Sequence, residues 1–137
     1  MSLDLTIVTP ERQVFDEEAE SVVLPGAEGD FGVLPHHERL LAPLRTGEAQ
    51  IRVRGQVLWA AIAGGFAEVT GERVVVLADA CELASEIDLA RAQAAQARAE
   101  REIQELRSGL ADDARLQLYE LALQRALVRQ QVAAKGR

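Results

Sequence analysis

Several groups of residues carry side chains that could do chemistry. His36-His37-Glu38 sets two imidazoles beside a carboxylate. Neighbours in sequence do not converge easily on one ion, and the chain has no third histidine and a single cysteine, so these residues read as a loop pair and not as a metal site. Gly26-Ala27-Glu28-Gly29-Asp30-Phe31-Gly32 has the glycine density of a phosphate loop, but Glu28 and Asp30 would repel a phosphate and no lysine follows. A tight turn between strands is expected there. A serine hydrolase needs a nucleophile elbow, and no G-x-S-x-G occurs. Arg91 and Arg98 lie two helical turns apart, and Arg125 and Arg129 stand at i and i+4, so each pair shares a helix face. No catalytic constellation emerges.

The charge on these groups is unevenly spread. The 137 residues carry a net charge of −7. Residues 1–84 hold 6 Lys/Arg against 14 Asp/Glu, whereas residues 85–137 hold 9 against 8. An acidic front half argues against nucleic-acid binding. The basic end, with Arg115, Arg125, Arg129, Lys135 and Arg137 against Glu120 alone, suits either an acidic partner or a solvated helix face. The longest uncharged stretch, Gly55 to Ala67, is too short and too glycine-interrupted to cross a bilayer. The N-terminus has no basic region followed by an apolar run, so no secretory signal is expected. Cys81 stands alone, which excludes an internal disulfide, fits a reducing compartment, and reads as a small buried apolar residue.

Two kinds of element must position these residues. Up to about Ala84 the pattern has period two. Leu3, Leu5 and Ile7 alternate with Asp4 and Thr6; Glu20, Val22 and Leu24 with Ser21 and Val23; Ala49, Ile51 and Val53 with Gln50, Arg52 and Arg54. Gln56 to Ala63 and Arg73 to Ala78 are nearly unbroken apolar runs, expected of strands buried on both faces. Turn chemistry at Thr9-Pro10-Glu11, Pro25-Gly26, Glu28-Gly29-Asp30, Thr46-Gly47, Gly64-Gly65 and Thr70-Gly71-Glu72 completes the signature of an all-β sandwich or barrel.

Beyond Cys81 alanine replaces glycine. Ser85-Glu86-Ile87-Asp88 has the form of a capping box, which makes Ser85 the expected N-cap of a helix running to about Arg107 and stopping near Ser108-Gly109. Asp112 or Asp113 caps a second helix to about Ala134, with Leu116, Tyr119, Leu123 and Leu127 as its apolar stripe. The short connection predicts an antiparallel hairpin. The first helix is rich in alanine, and each buried methyl removes far less apolar surface than a leucine does. Two such helices cannot enclose a core, so the hairpin, residues 85–137, is expected to be a detachable element on an independent β domain, residues 1–84.

These pieces resemble, in order, the epsilon subunits of F-type ATP synthases, called delta in mitochondria. Leu5-Thr6-Ile7-Val8-Thr9-Pro10-Glu11 is similar to that family's first strand and turn. The segment from Val22 through Pro25-Gly26-Ala27-Glu28-Gly29-Asp30-Phe31-Gly32 to Pro35 resembles its signature loop. Ala63-Gly64-Gly65-Phe66-Ala67-Glu68-Val69, Val74-Val75-Val76-Leu77-Ala78-Asp79 and Ile87-Asp88-Leu89-Ala90-Arg91-Ala92 follow in the family's sequence of motifs. One departure is clear: the family usually reads Pro-Gly-His where this chain has Pro35-His36-His37.

The resemblance implies a non-catalytic rotor subunit that needs no cofactor. It would sit peripherally at the cytoplasmic face of a bacterial plasma membrane, with the gamma subunit, the c-ring and the alpha and beta subunits as partners. Asp30 and His37 would face the c-ring, and Arg125 and Arg129 would approach acidic segments of the beta subunits as the hairpin restrains ATP hydrolysis. ATP would be a regulatory ligand of the compact hairpin, on Glu82, Ile87, Asp88, Arg91, Ala92, Arg98 and Arg125. Two other classes stay open: a β-sandwich binding module with a helical dimerisation arm, and a small hydrolase. Self-association of the isolated chain would mark the first, activity of the purified chain the second.

Overall fold

The computed structural model describes residues 2–109 and 112–136. Eight strands come first: β1 (Leu3–Val8), β2 (Gln13–Ala19), β3 (Ser21–Gly26), β4 (Gly29–Val33), β5 (His37–Leu44), β6 (Gly47–Val53), β7 (Gln56–Gly71) and β8 (Arg73–Leu83). A 3-10 turn (Ala84–Glu86) leads to two helices, α1 (Leu89–Ser108) and α2 (Asp113–Lys135). The expected sandwich followed by a helical pair is what forms.

The two long strands serve both layers. The first half of β7, Gln56 to Ile62, pairs with β6, which pairs with β3 and through it β4. The second half, Gly65 to Gly71, pairs with β5. β8 follows β7 along its whole length and adds β1 in parallel beside Arg73–Leu77; β1 then carries β2. Between the layers lie Leu3, Leu5 and Ile7 of β1, Val22 and Leu24 of β3, and Ala49, Ile51 and Val53 of β6. Their alternation is the one the sequence predicts. Glu20 is the exception: β3 begins one residue later, and the exposed Glu20 carboxylate accepts the Gly55 N–H at 2.6 Å. At one edge of the sheet, β2 exposes Asp16-Glu17-Glu18, a charge run that discourages pairing with another chain.

Crossing from one layer to the other reverses which side chains point inward. In β7 the positions buried between the layers are Ala60 and Ile62, then Ala67 and Val69; in β8 they are Val74, Val76 and Ala78, then Cys81. The reversal falls at Gly64 and Gly65, whose φ values of 71° and 117° belong to the left-handed side that glycine tolerates. Gly64-Gly65 is thus a mid-strand crossover and not the turn its composition suggests. Pro25-Gly26 likewise lies inside β3, and the chain turns at Ala27-Glu28. The apolar runs of β7 and β8 are not buried on both faces either. Leu58 of the first run is 36% exposed and Leu77 of the second 57%; Phe66, just past the crossover, is 54% exposed.

The first helix begins one turn later than its capping signal suggests, and the second begins where expected. Ser85 lies in the 3-10 turn, and Asp88 caps α1 by accepting the Arg91 N–H at 3.1 Å. Its partner is that backbone donor and not the Arg91 guanidinium. Asp112 caps α2 in the same way through Arg115. α1 packs on α2 and buries Ala92, Ala99 and Ile103. Leu116, Tyr119 and Leu123 are half-buried, but Leu127 is exposed; after Leu123 the buried positions are Ala126, Val128, Val132 and Ala133.

His36 has φ 66°, the conformation for which glycine is suited, so the departure at Pro35-His36-His37 places a β-carbon in the left-handed region. Its Nδ1 lies 3.3 Å from the Glu72 carboxylate, an exposed contact of small worth. His36→Gly is expected to raise stability by about 1 kcal/mol. A urea midpoint that rises with an unchanged slope would establish it; an unchanged or lower midpoint would refute it.

Candidate functional site

Of the residues singled out by sequence, Glu82, Ile87 and Arg129 lie where β8 hands over to the hairpin. Glu86, in the 3-10 turn, accepts the Leu83 N–H at 3.0 Å and the Arg12 guanidinium at 3.1 Å. Arg12 also reaches the Cys81 carbonyl at 3.5 Å. Partial burial pushes the Glu86 carboxyl up, but the hydrogen bonds from Leu83 and Arg12 outweigh it and hold the group below the usual carboxylate range. A depressed folded-state value means that this contribution is present above the unfolded carboxylate value. It is lost as the pH falls through the folded one. Nearby, burial pushes the Cys81 thiol up to about 12, so at neutral pH it is the inert packing residue its solitude suggests.

Three residues of Ile87-Asp88-Leu89-Ala90-Arg91-Ala92 have structural tasks. Ile87 is buried against Ala61, Ala84, Val128, Val132 and Ala133. Asp88 is the helix cap, and Ala92 is fully buried in the hairpin. Arg91 and Arg98 are exposed on α1, and neither guanidinium makes an ion pair among the described residues.

α2 lies on the outer face of the sheet and is fastened by charge. Arg129 Nε donates to Glu82 Oε1 at 2.6 Å and Arg129 Nη2 to Glu82 Oε2 at 3.4 Å. The side chains of this pair are only 24% and 33% exposed. Lys135 pairs with Glu48, and its Nζ stands 4.5 Å from the centroid of the Trp59 ring. Gly136 packs so closely on Ala84 that a β-carbon there would meet the Ala84 β-carbon at 2.1 Å. Between α2 and the β7–β8 pair is a cavity of about 230 Å³ whose lining includes Glu82, Arg125 and Arg129. Glu82 and Arg125 thus meet, whereas Asp88, Arg91 and Arg98 do not line this space. Sequence reasoning named Glu82 and Arg129 for other partners and missed Arg12, Glu48, Trp59 and Lys135. The partners of the fastening pairs lie 47 and 87 residues apart, where no local pattern links them.

Asp30 and His37 are not brought together. Asp30 pairs with Arg45, beyond the last residue of β5, whereas His37 is the first residue of β5 and lies opposite Gly71. The strand between them places the two roughly 20 Å apart. His37 Nδ1 lies 2.7 Å from the Glu38 carbonyl oxygen.

A two-layer β sandwich with a helical hairpin folded back on its outer face defines the class. A family model described as "ATP synthase, Delta/Epsilon chain, beta-sandwich domain" matches residues 2–84. The chain is 46% identical over 133 residues to the ATP synthase epsilon chain of Syntrophobacter fumaroxidans, covering 97% of this chain and 96% of that one. It is 44% identical over 137 residues to the ATP synthase epsilon chain of Dehalococcoides mccartyi, covering 98% and 94%. The fold is similar to a chain in a Euglena gracilis mitochondrial ATP synthase structure, with a TM-score of 0.78 at 24% identity, covering 98% of this chain and 81% of that one. The protein belongs to the ATP synthase delta/epsilon family.

The Glu82–Arg129 pair is half-sheltered and doubly hydrogen-bonded, so its loss should cost about 1–2 kcal/mol, between exposed and buried pairs. Glu82→Gln is therefore expected to lower the equilibrium constant for hairpin docking roughly tenfold. Trp59, the only tryptophan, reports docking by fluorescence. The exchange Glu82→Arg with Arg129→Glu should restore much of the signal. An unaltered docking equilibrium in Glu82→Gln would show that the pair is incidental.

Proposed function

We propose that the protein is a non-catalytic rotor subunit in the central stalk of an F-type ATP synthase. The observation that carries this is the near-full-length similarity, over the sandwich and the hairpin alike, to relatives named ATP synthase epsilon chain. On this reading the sandwich grips the gamma subunit and rests on the c-ring. It passes rotation between the ring and the head of alpha and beta subunits. The chain has no active site of its own. It is held peripherally at the cytoplasmic face of the bacterial plasma membrane by the complex; no described helix is long and apolar enough to cross a membrane.

The hairpin restrains hydrolysis when it leaves the sandwich. Helices of 20 and 23 residues are each roughly 30–35 Å long, enough to reach from the sandwich into the head. Arg125 and Arg129 then face acidic segments of the beta subunits, and Arg129 must first leave Glu82. The test uses the assembled enzyme. Deleting the residues after Ala84 should raise ATP hydrolysis severalfold with assembly intact, and a cysteine at Asp30 should cross-link to the polar loop of the c-ring. Unchanged hydrolysis rejects the restraint. Because Asp30 and His37 lie at opposite ends of β5, a cross-link from position 37 alone would move the c-ring contact to the other end of the sandwich.

ATP as a regulatory ligand is favoured by the exposed Arg91 and Arg98, about 10 Å apart along α1. A nucleotide bound to the compact hairpin favours that state by its differential affinity and so relieves the restraint. Titration of the full chain with ATP should give heat that Arg91→Ala diminishes at least about tenfold, while Arg107→Ala leaves it unchanged. No heat at millimolar ATP refutes this reading.

A further inference from the structure

We propose that Arg45 is a positioning residue for the contact with the c-ring: it holds the Asp30 carboxylate in one place near the tip of the β3–β4 hairpin. This rests on the reading that Asp30 meets the ring, and adds to it a residue that the reading does not contain. Arg45 directly follows β5, where β5 meets β3 at the Gly26–Leu44 pair. Backbone hydrogen bonds lock the strands there. The Arg45 N–H donates to the Pro25 carbonyl at 2.9 Å, and the Ala27 N–H donates to the Pro43 carbonyl at 2.8 Å. Pro25 is also the register partner of Asp30 across the hairpin. The backbone of Arg45 and the carboxylate it reaches are therefore tied to the same residue.

The path of the side chain is set as well. Nη1 donates to the Thr46 carbonyl at 3.2 Å while Nη2 pairs with Asp30. The guanidinium lies over Gly47, where a β-carbon would stand 2.5 Å from Nη1 and 2.7 Å from the Pro25 β-carbon. Gly47 is not among the glycines with positive φ, so the close approach, and not the backbone, calls for glycine here. A lysine, with one nitrogen, does not span the two acceptors as the planar fork does. Asp30 and Arg45 remain 56% and 43% exposed, so the pair contributes little to folding. Its effect is on the encounter. A loose carboxylate at a hairpin tip samples several rotamers, and a partner must freeze them on binding. Arg45 removes that cost before the ring arrives and cancels the charge. What the ring meets is a fixed hydrogen-bond acceptor and not a free anion.

The test uses the assembled enzyme. Ala27→Cys, in the exposed turn near Asp30, reports the contact by its rate of disulfide formation with a cysteine in the polar loop of the ring. The buried Cys81 does not compete. Asp30→Asn should slow this cross-link. Arg45→Gln should slow it about threefold while the urea midpoint of the isolated chain hardly moves. In the Asp30→Asn background, Arg45→Gln should add nothing further. The exchange Asp30→Arg with Arg45→Asp restores an ion pair but moves the carboxylate off the hairpin, so the cross-link should stay slow. Arg54→Gln, which breaks an exposed pair with Glu17 instead, should change nothing. Recovery of the cross-link by the exchange would reduce Arg45 to a structural tie and overturn the proposal. Additive effects of the two single changes would give Arg45 a contact of its own and overturn it too. A native rate in Arg45→Gln beside a slowed Asp30→Asn would also overturn it, with the reading of Asp30 left standing. An unchanged rate in Asp30→Asn would remove that reading and the proposal together.

Discussion

A β-carbon on residue 65 would stand 2.1 Å from the Leu77 carbonyl oxygen and 2.8 Å from the Ala78 α-carbon. That contact between the backbones of β7 and β8 admits only glycine, and most of the architecture depends on it. It lets a pair of long strands pass from one layer to the other without breaking their ladder, exchanging inward for outward faces on the way. β6, β3 and β4 are attached to one half, and β5, β1 and β2 to the other. The same crossover divides the outer surface. On one side Trp59, Ala61, Ala80 and Glu82 lie beneath or beside α2; on the other Phe66 and Leu77 stay open.

The two cores differ in what fills them. Between the layers, leucine, isoleucine and valine from six strands are wholly buried, each worth about 1.5–3 kcal/mol of transfer free energy. Under α2 the buried set is Ala61, Ala84, Ile87, Val128, Val132 and Ala133, with Trp59 at its margin. Alanine allows α2 to lie close to the sheet but contributes little area, and over part of the contact it leaves the cavity. Arg129–Glu82 and Lys135–Glu48 supply much of the orientation that packing does not. Ion pairs fix geometry well and add modest stability, a combination suited to an element that docks in one pose and still leaves.

Much of this was legible in sequence wherever the rule was local. Alternation in β1 and β6 assigned their inward residues correctly, because each strand lies in a single layer. It failed in β7 and β8 because an apolar run does not say which of its members will be left uncovered, and Gly64-Gly65 has the same composition whether it turns or crosses over. Ser85 and Asp88 compete for one cap, and only the path of the chain out of β8 decides for Asp88. At that point Glu86 is already occupied with Leu83 and Arg12. The candidate site was legible residue by residue but not as an arrangement. The similarity placed Glu82 and Arg125 in one site with Asp88, Arg91 and Arg98; the first two share a lining, and the other three stand apart from it. Asp30 and His37, close in sequence, were separated by the strand that grows between them.

On the proposed function, the path of the chain also sets how the hairpin would leave. Ile87 and Asp88 have extended backbone between the 3-10 turn, fixed by Arg12–Glu86, and α1, which packs chiefly on α2. Rotation at these two residues would swing both helices together, and at Ile87 it would break the contact with Ala61. The polar fastenings lie on the last two turns of α2, at Arg129 and Lys135, so they are far from the pivot along the chain and near it in space. Releasing them exposes two cations and two carboxylates to water. In water alone this gives up the pairing. Beside an acidic surface Arg129 exchanges one carboxylate for another, and the electrostatic cost largely cancels. What then opposes departure is the small apolar patch around Ile87, Val128 and Val132. On the proposed function, the balance between a docked and a released hairpin would be governed by an area small enough for one additional contact to shift it.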